Sequence, residues 1–501
     1  MHSPRRGTMT RVTESFTERF AAGLASYGAG PCIEFERRWH SGDEVAEYAR
    51  RIVACLDRAG VAQGAPIGLV VRNRYPHAAA IIGMIAAGRP VAMIYSFQSP
   101  EAIAADIERL DAAAVLAETE DWTVPVVAAV HHTGGAGVAL SADGPTGVGS
   151  LECADDARPR TGLDGALAIL TSGTTGPPKR FVIRPEVLEH TVYSVTGGQA
   201  DPDEPPEMSY WPLGGIGGVC QLVTGVYVGK RMVLLERFSV DEWVRAVKQY
   251  GLQRVGVQPA VVRMLLDADL PAGDLSSLQY VMSASGPLDV ATRDAFEAKY
   301  GIPVLTAYGA TEFAGSVCSW TPDLYREFGA RKRESSGRAL PGVQVRIVDA
   351  ETGSELCVGS RGVLEAKVPL LGPDWVRTTD VASIDEDGFI TLHGRADGAI
   401  NRGGFKILPE TVRNVLISHP CVRDAGVVGV PDRRLGQVPF AVVEPAPGTC
   451  PEEADLLAHV RAALPSHHVP VAIRVVDELP RTPSLKVSMP ALAALYEARG
   501  G

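Results

Sequence analysis

The nine residues from Thr171 to Lys179, TSGTTGPPK, gather the groups that a polyphosphate needs. Thr171, Ser172, Thr174 and Thr175 offer hydroxyls, Gly173 and Gly176 let the backbone come close, and Lys179 adds a positive charge. Oriented amides, hydroxyl donors and a cation together stabilise the dense negative charge of phosphate oxygens. The Walker A pattern, GxxxxGK followed by Ser or Thr, does not fit. Counted from Gly173, Pro178 stands where glycine is required, and Arg180 follows the lysine. The run FVIR (181–184) also reads as a strand, where a P-loop continues into a helix. A plain hydrophilic turn is the alternative, but a turn seldom concentrates so many hydroxyls, glycines and a lysine.

Four further motifs follow the loop: AYGATE (307–312), TTD (378–380), GRADGAI (394–400) and PRTPSLK (480–486). Each has an ordinary explanation alone. Glu312 could be a surface carboxylate, Asp380 a turn cap and Lys486 one solvated lysine among many. In this order and with the loop, the set resembles the adenylate-forming enzymes, which include acyl- and aryl-CoA ligases, firefly-type luciferases and peptide-synthetase adenylation domains. The likeness spans roughly residues 30 to 490. It implies that Thr171, Ser172, Gly173, Thr174, Thr175 and Gly176 hold phosphates, and that Ser285, Gly286, Tyr308, Gly309 and Ala310 hold the nucleotide, with Tyr308 stacked on adenine. It implies Thr311 at the α-phosphate, Mg²⁺ on Glu312 and Thr174, and Asp380 on the ribose hydroxyls. Arg395 would reach ribose and phosphate, Asp397 would be the pivot of a hinge, and Lys486 the mobile lysine. The catalytic set so implied is Lys486, Thr311, Glu312 and Lys179. Thr379 and Leu485 stand where the family has glycine, which leaves the local backbone open at those two places.

The chemistry implied is activation of a carboxylic acid by ATP, with coenzyme A, ATP and Mg²⁺ as cofactors. A carboxylic acid is already ionised at neutral pH, so no general base is required. The work is electrostatic: neutralise phosphate charge, align the attack and stabilise departing pyrophosphate. The resulting acyl adenylate then passes to the thiol of coenzyme A. The resemblance implies that residues 401–406 shape the thiol channel, with Gly403 and Gly404 allowing close passage; a tight turn is the plainer explanation for those glycines. The alternative function is a stand-alone adenylation enzyme that loads a carrier-protein thiol or another nucleophile. A non-catalytic nucleotide-binding protein is a third reading, disfavoured by Glu312, Asp380 and Lys486.

The acyl group is implied to meet Tyr210, Trp211, Gly214 and Gly215, then Val257, then Ser283 and Ala284. The segment YWPLGGIGGVCQ (210–221) has no acidic residue. An α-ammonium would be left unpaired there at high cost, which disfavours an ordinary amino acid as substrate. Gly214 and Gly215 replace an aromatic and a His or Trp gate usual in the ligases. The glycines at 214, 215, 217 and 218 are expected to leave space for a larger or flatter acyl group, unless Trp211 or Tyr210 fills it.

Alternating elements must position these groups. PIGLVV (66–71), RPVAMI (89–94), ALAIL (166–170), RVGVQ (254–258) and LQYVMSA (278–284) read as strands. HAAAIIGMIAAG, RFSVDEWVRAVKQYG and DVATRDAFEAKYG read as helices, the last closed by Gly301. Such alternation predicts an α/β fold of parallel-rich sheets covered by helices. Near residue 394 the texture changes to Gly and charge. A short α+β pattern follows: a helix in LPETVRNVLISH, strands in AGVVGV and VPFAVV, a helix in EEADLLAHVRAAL and a strand in AIRVVDEL. The expected domains are 1–395, binding ATP and acyl group, and 396–501, small and mobile and carrying the lysine. The chain has 501 residues, a formal charge of -11, 46% apolar and 21% charged residues, so a sizeable core is available and no basic excess exists for nucleic acid. Its eight cysteines form no CxxC pair, which argues for reduced thiols in the cytoplasm. The apolar run 78–87 is too short to span a bilayer and no secretory h-region opens the chain, so a soluble protein without a membrane span is expected.

Overall fold

The computed structural model describes residues 15–155, 160–163, 165–171, 179–196, 204–310, 313 and 315–498. It divides into two compact units, residues 1–170 with 180–236, and residues 171–179 with 237–501. The chain is a mixed α/β protein with parallel-rich sheets.

In the first unit a seven-stranded sheet has the spatial order 146–147, 136–140, 114–118, 67–71, 91–95, 167–171, 179–183. Its central strand, Ile67–Val71, is buried at every position and pairs in parallel with both neighbours. That burial on both faces is what a continuous apolar run encodes, and helices on each face supply the cover. Helix Tyr75–Ala86 is buried nearly all round, as its sequence without a polar face requires. Ser41 opens helix Gly42–Arg58 with a capping box to Glu44. A second sheet joins Glu207–Ser209, Met232–Leu234, Pro31–Phe35 and Arg38–Ser41.

The second unit holds three sheets. Strands Arg254–Val257, Tyr280–Ser283 and Val304–Ala310 run parallel, and Gly315–Ser319 and Arg338–Ala339 continue that sheet antiparallel. A four-stranded antiparallel meander follows: Gln344–Val348, Gly362–Lys367, Val376–Ile384 and Ile390–Arg395. No periodic pattern announced it. Its strands are half-buried and irregular, with bulges near Val363 and Val381, so alternation is blurred. The last sheet orders Phe405–Ile407, Ile400–Arg402, Gly436–Pro445 and Val422–Asp432, with Ile473–Val475 parallel beside Gly436–Pro445. Ala441 and Val443 pack into one apolar cluster while Val438, Phe440 and Val442 pack into another, the two-residue alternation of a sheet with two faces. No helix among the described residues is long and apolar enough to cross a membrane.

Candidate functional site

Within the second unit, antiparallel pairing sets Asp380 directly opposite Arg395. The Asp380 backbone N–H donates to Thr378 Oγ1 (3.0 Å), whose hydroxyl donates to the Leu364 carbonyl (2.7 Å). Tyr308, on strand Val304–Ala310, donates its hydroxyl to the Asp380 carboxylate. Burial first, then the Asp380 charge, holds the Tyr308 phenol well above its ordinary pKa, so it stays a neutral donor. Arg395 is held by Asp397 through two bonds of 2.9 and 2.7 Å. The same guanidinium donates to Thr379 Oγ1 at 2.7 Å, so threonine in place of glycine adds an acceptor beside Arg395.

Lys486 is exposed as a residue and lies in a closed loop, where the Thr482 amide donates to the Lys486 carbonyl (2.7 Å) and Arg481 pairs with Val487. Dense protein around its ammonium, and then the like charge of Arg395, draws its pKa below the lysine norm, while Asp380 opposes the shift. Tyr308, Asp380, Arg395, Asp397 and Lys486, scattered over the sequence, are thus linked in one electrostatic cluster. Leu485, beside the lysine, adopts φ +60°. A side chain there costs roughly 1–2 kcal/mol relative to glycine, so the lysine loop is held under strain.

Val257 and Ser283 are register partners at the carboxyl ends of adjacent parallel strands, and the Ala284 amide donates to the Val257 carbonyl (3.1 Å). Ser285 follows with φ +71°, a conformation that concentrates at ligand sites. Ser283 Oγ and the neighbouring Gln258 Oε1 are buried and have no hydrogen-bond partner among the described residues. Buried polar atoms at strand carboxyl ends suit a polar ligand such as a nucleotide. Gln258 was not singled out by sequence; its one signal is a polar residue ending an apolar strand. A Cβ on Gly286 would meet Pro259 side-chain atoms at 3.7 and 3.9 Å, an ordinary contact. Gly403 and Gly404 have φ +57° and +92° and join the paired residues Arg402 and Phe405, a type I′ hairpin turn that asks for glycine.

Gly309 lies in a close approach: a Cβ there would sit 2.1 Å from the Gly315 carbonyl oxygen. Gly309→Ala is expected to cost about 1–3 kcal/mol through overpacking. A lowered unfolding midpoint by circular dichroism checks it, and an unchanged midpoint would show that this hairpin yields freely. Ser172, Gly173, Thr174, Thr175 and Gly176 lie outside the described residues, as do Thr311 and Glu312 and the side chains of Thr171 and Lys179. Ala310 ends the strand before them.

In the first unit Tyr210 and Trp211 are buried and stacked with ring centroids 6.3 Å apart. Asn73, buried and not singled out by sequence, clamps their turn: its amide donates to the Trp211 carbonyl (2.9 Å) and its oxygen accepts from the Leu213 amide (2.8 Å). The glycines largely do not open space. A Cβ on Gly214 would lie 2.7 Å from Val71 Cγ1 and 3.0 Å from the Tyr95 ring. On Gly218 it would strike the Trp211 and Pro212 carbonyls, and on Gly217 the Trp211 ring, leaving only Gly215 comparatively open. Trp211 therefore takes part of the room, as the plainer reading held, but Tyr95 and Val71, absent from that reading, take the rest.

Residues 20–372 match the family model of AMP-binding enzymes, and residues 411–486 match that of the AMP-binding enzyme C-terminal domain. The chain is 28% identical over 517 aligned residues to 4-coumarate–CoA ligase-like 9 of Oryza sativa subsp. japonica, covering 95% of this chain and 89% of that one. It is 28% identical to the fatty acid–acyl-carrier-protein ligase ScoC of Streptomyces coeruleorubidus, over 64% of this chain and 65% of that one. Its fold superposes on ATP-bound MatB from Rhodopseudomonas palustris with a TM-score of 0.82 at 23% identity, covering 97% of this chain and all of that one. The chain belongs to the AMP-binding, adenylate-forming enzyme family.

Proposed function

We propose that Tyr308, Asp380, Arg395 and Lys486 form the nucleotide end of an active site in which ATP activates a carboxylic acid and coenzyme A receives it. The enzyme is an AMP-forming carboxylate–CoA ligase. A carboxylate oxygen bonds to the α-phosphorus, the bond to the bridging oxygen breaks, and its electron pair leaves with pyrophosphate. The thiol sulfur then bonds to the acyl carbon, AMP departs, and the thiol proton passes to solvent.

The observation that carries this reading is the geometry around Asp380: Tyr308 donates to its carboxylate, Arg395 lies directly opposite it and is held by Asp397, and Lys486 is near enough to feel the charges of Arg395 and Asp380. Cations set beside a fixed carboxylate and a phenol donor are suited to an incoming nucleotide polyanion. In this reading Asp380 accepts from the ribose hydroxyls, Tyr308 faces adenine, Ser285, Gly286, Gly309 and Ala310 pass close to the nucleotide, and Arg395 meets ribose and phosphate. Residues 171–176 and Lys179 cradle the phosphates, and Thr311 approaches the α-phosphate. Glu312 and Thr174 are the candidates for Mg²⁺, which supplies charge neutralisation and can be held by few protein ligands together with phosphate oxygens. The candidate acyl contacts are Tyr210, Trp211, Gly214, Gly215, Val257, Ser283 and Ala284. Residues 1–395 would bind ATP and acid, while 396–501 would turn about Asp397 to bring Gly403 and Gly404 to the thiol.

A panel of aliphatic, aryl and polycyclic acids tests the function. At least one acid is expected to give ATP-dependent pyrophosphate release and, with coenzyme A, a thioester. Acid-dependent pyrophosphate exchange without any CoA thioester would favour the carrier-protein reading, which the likeness to ScoC supports. No exchange with any acid would sink both.

A further inference from the structure

The cluster around Lys486 does not account for Asp424, a carboxylate with 1% of its surface exposed. Three guanidinium groups converge on it: Arg413 at 2.6 Å on one oxygen, Arg481 at 2.8 Å and Arg263 at 3.2 Å on the other. Together they hold its carboxyl far below the ordinary aspartate pKa, against the opposing effect of burial. A buried charge needs partners, and removing all of them would leave an uncompensated ion. Arg413 and Arg481 already satisfy that need from within the C-terminal segment. Arg263 is different: it comes from helix Pro259–Asp267, far earlier in the chain, and its other nitrogen donates to Asp289 at 2.7 Å. A second pair, Arg423 with Asp267, joins the same helix to the residue beside Asp424.

Arg481 completes the connection. Besides Asp424 it reaches the Leu485 carbonyl (3.4 Å), next to Lys486, and it opens the loop that the Thr482 and Lys486 backbones close. A continuous set of contacts therefore runs from helix 259–267 through Arg263, Asp424 and Arg481 to the strained turn that presents Lys486.

We propose that Asp424, bridging Arg263 and Arg481, is a positioning residue that fixes Lys486 for adenylate formation and must release Arg263 for the thioester step. The proposal rests on the functional reading above, including movement of residues 396–501. Two arrangements with different partners for one buried carboxylate make a two-state element. The cost of releasing Arg263 is modest, because Arg413 and Arg481 travel with Asp424 and keep it paired.

Arg263→Met tests it, since it keeps an apolar stem in the helix and leaves Asp424 with two partners. Asp289 retains the Thr292 amide (2.8 Å) and hydroxyl (2.9 Å). The substrate is the panel acid that the unaltered enzyme uses fastest, and two half-reactions are followed: acid-dependent ATP–pyrophosphate exchange, and thioester formation from synthetic acyl adenylate and coenzyme A. Exchange is expected to slow about tenfold or more, while thioester formation holds or quickens; Arg263→Lys, retaining a cation, should recover part of the loss. Asp267→Asn breaks the partly exposed second pair without touching the buried carboxylate, and should shift the two rates the same way by less. Equal loss of both half-reactions in well-folded protein, or no change in either, overturns the proposal while leaving the ligase reading intact. Absence of exchange in the unaltered enzyme overturns that reading and this one with it.

Discussion

Lys486→Ala is expected to slow adenylate formation about 10²–10³-fold, the scale found when a positioned charge-stabilising group is lost from a transition state. The loss should fall on kcat for pyrophosphate exchange, since the ammonium acts on charge that moves toward pyrophosphate as the reaction proceeds. Thioester formation from supplied acyl adenylate should change little, because no pyrophosphate leaves in that step. Lys486 also makes a pH prediction. Its pKa lies below the lysine norm because of crowding and Arg395. The cation is the useful form, so kcat/KM for exchange should fall as pH rises through that lowered value, earlier than an ordinary lysine would dictate. In Lys486→Ala this alkaline limb should vanish. Equal losses in both half-reactions would show that the residue serves the fold or the thiol step instead.

Asp380→Asn is expected to raise the KM for ATP about 10- to 100-fold, since hydrogen bonds to a charged acceptor contribute roughly 1.5–3 kcal/mol. Asparagine keeps an oxygen that can accept from Tyr308, so the strand pairing of Val376–Ile384 should survive. The control is 2′-deoxy-ATP. If Asp380 takes the ribose hydroxyls, the variant and the deoxy substrate remove the same interaction and their effects should not add. Additive effects would place the carboxylate elsewhere. The substitution also removes the charge that supports the Lys486 cation, so the alkaline limb should move to still lower pH.

Much of the scaffold was legible because burial on both faces of a parallel sheet demands local signals. PIGLVV became the wholly buried strand Ile67–Val71, and the apolar run after it became the buried helix Tyr75–Ala86. Gly301 does end helix Val290–Tyr300 in the left-handed conformation, and the structure adds that Asp289 caps its start by accepting from the Thr292 amide. The stretch 344–395 was harder to read, since half-buried antiparallel strands with bulges carry no single period. The family resemblance carried by TTD, GRADGAI and PRTPSLK marked Asp380, Arg395 and Lys486 as candidates; nothing in those motifs revealed that Tyr308 bonds Asp380 or that Thr379 serves Arg395.

The glycines at 214 to 218 show the same division. Their small size is written in the chain, but whether the vacated volume is empty depends on what faces it, and Tyr95, Val71 and Trp211 face it. Asp424 carries no mark in its local sequence; it matters because Arg263, Arg413 and Arg481 converge on it from distant segments. Local order, strand and helix type, and the ordered motifs could be read along the chain because each depends on neighbours within a few residues. Packed volume and the partners of a buried charge depend on residues remote in sequence, so folding alone assigned them.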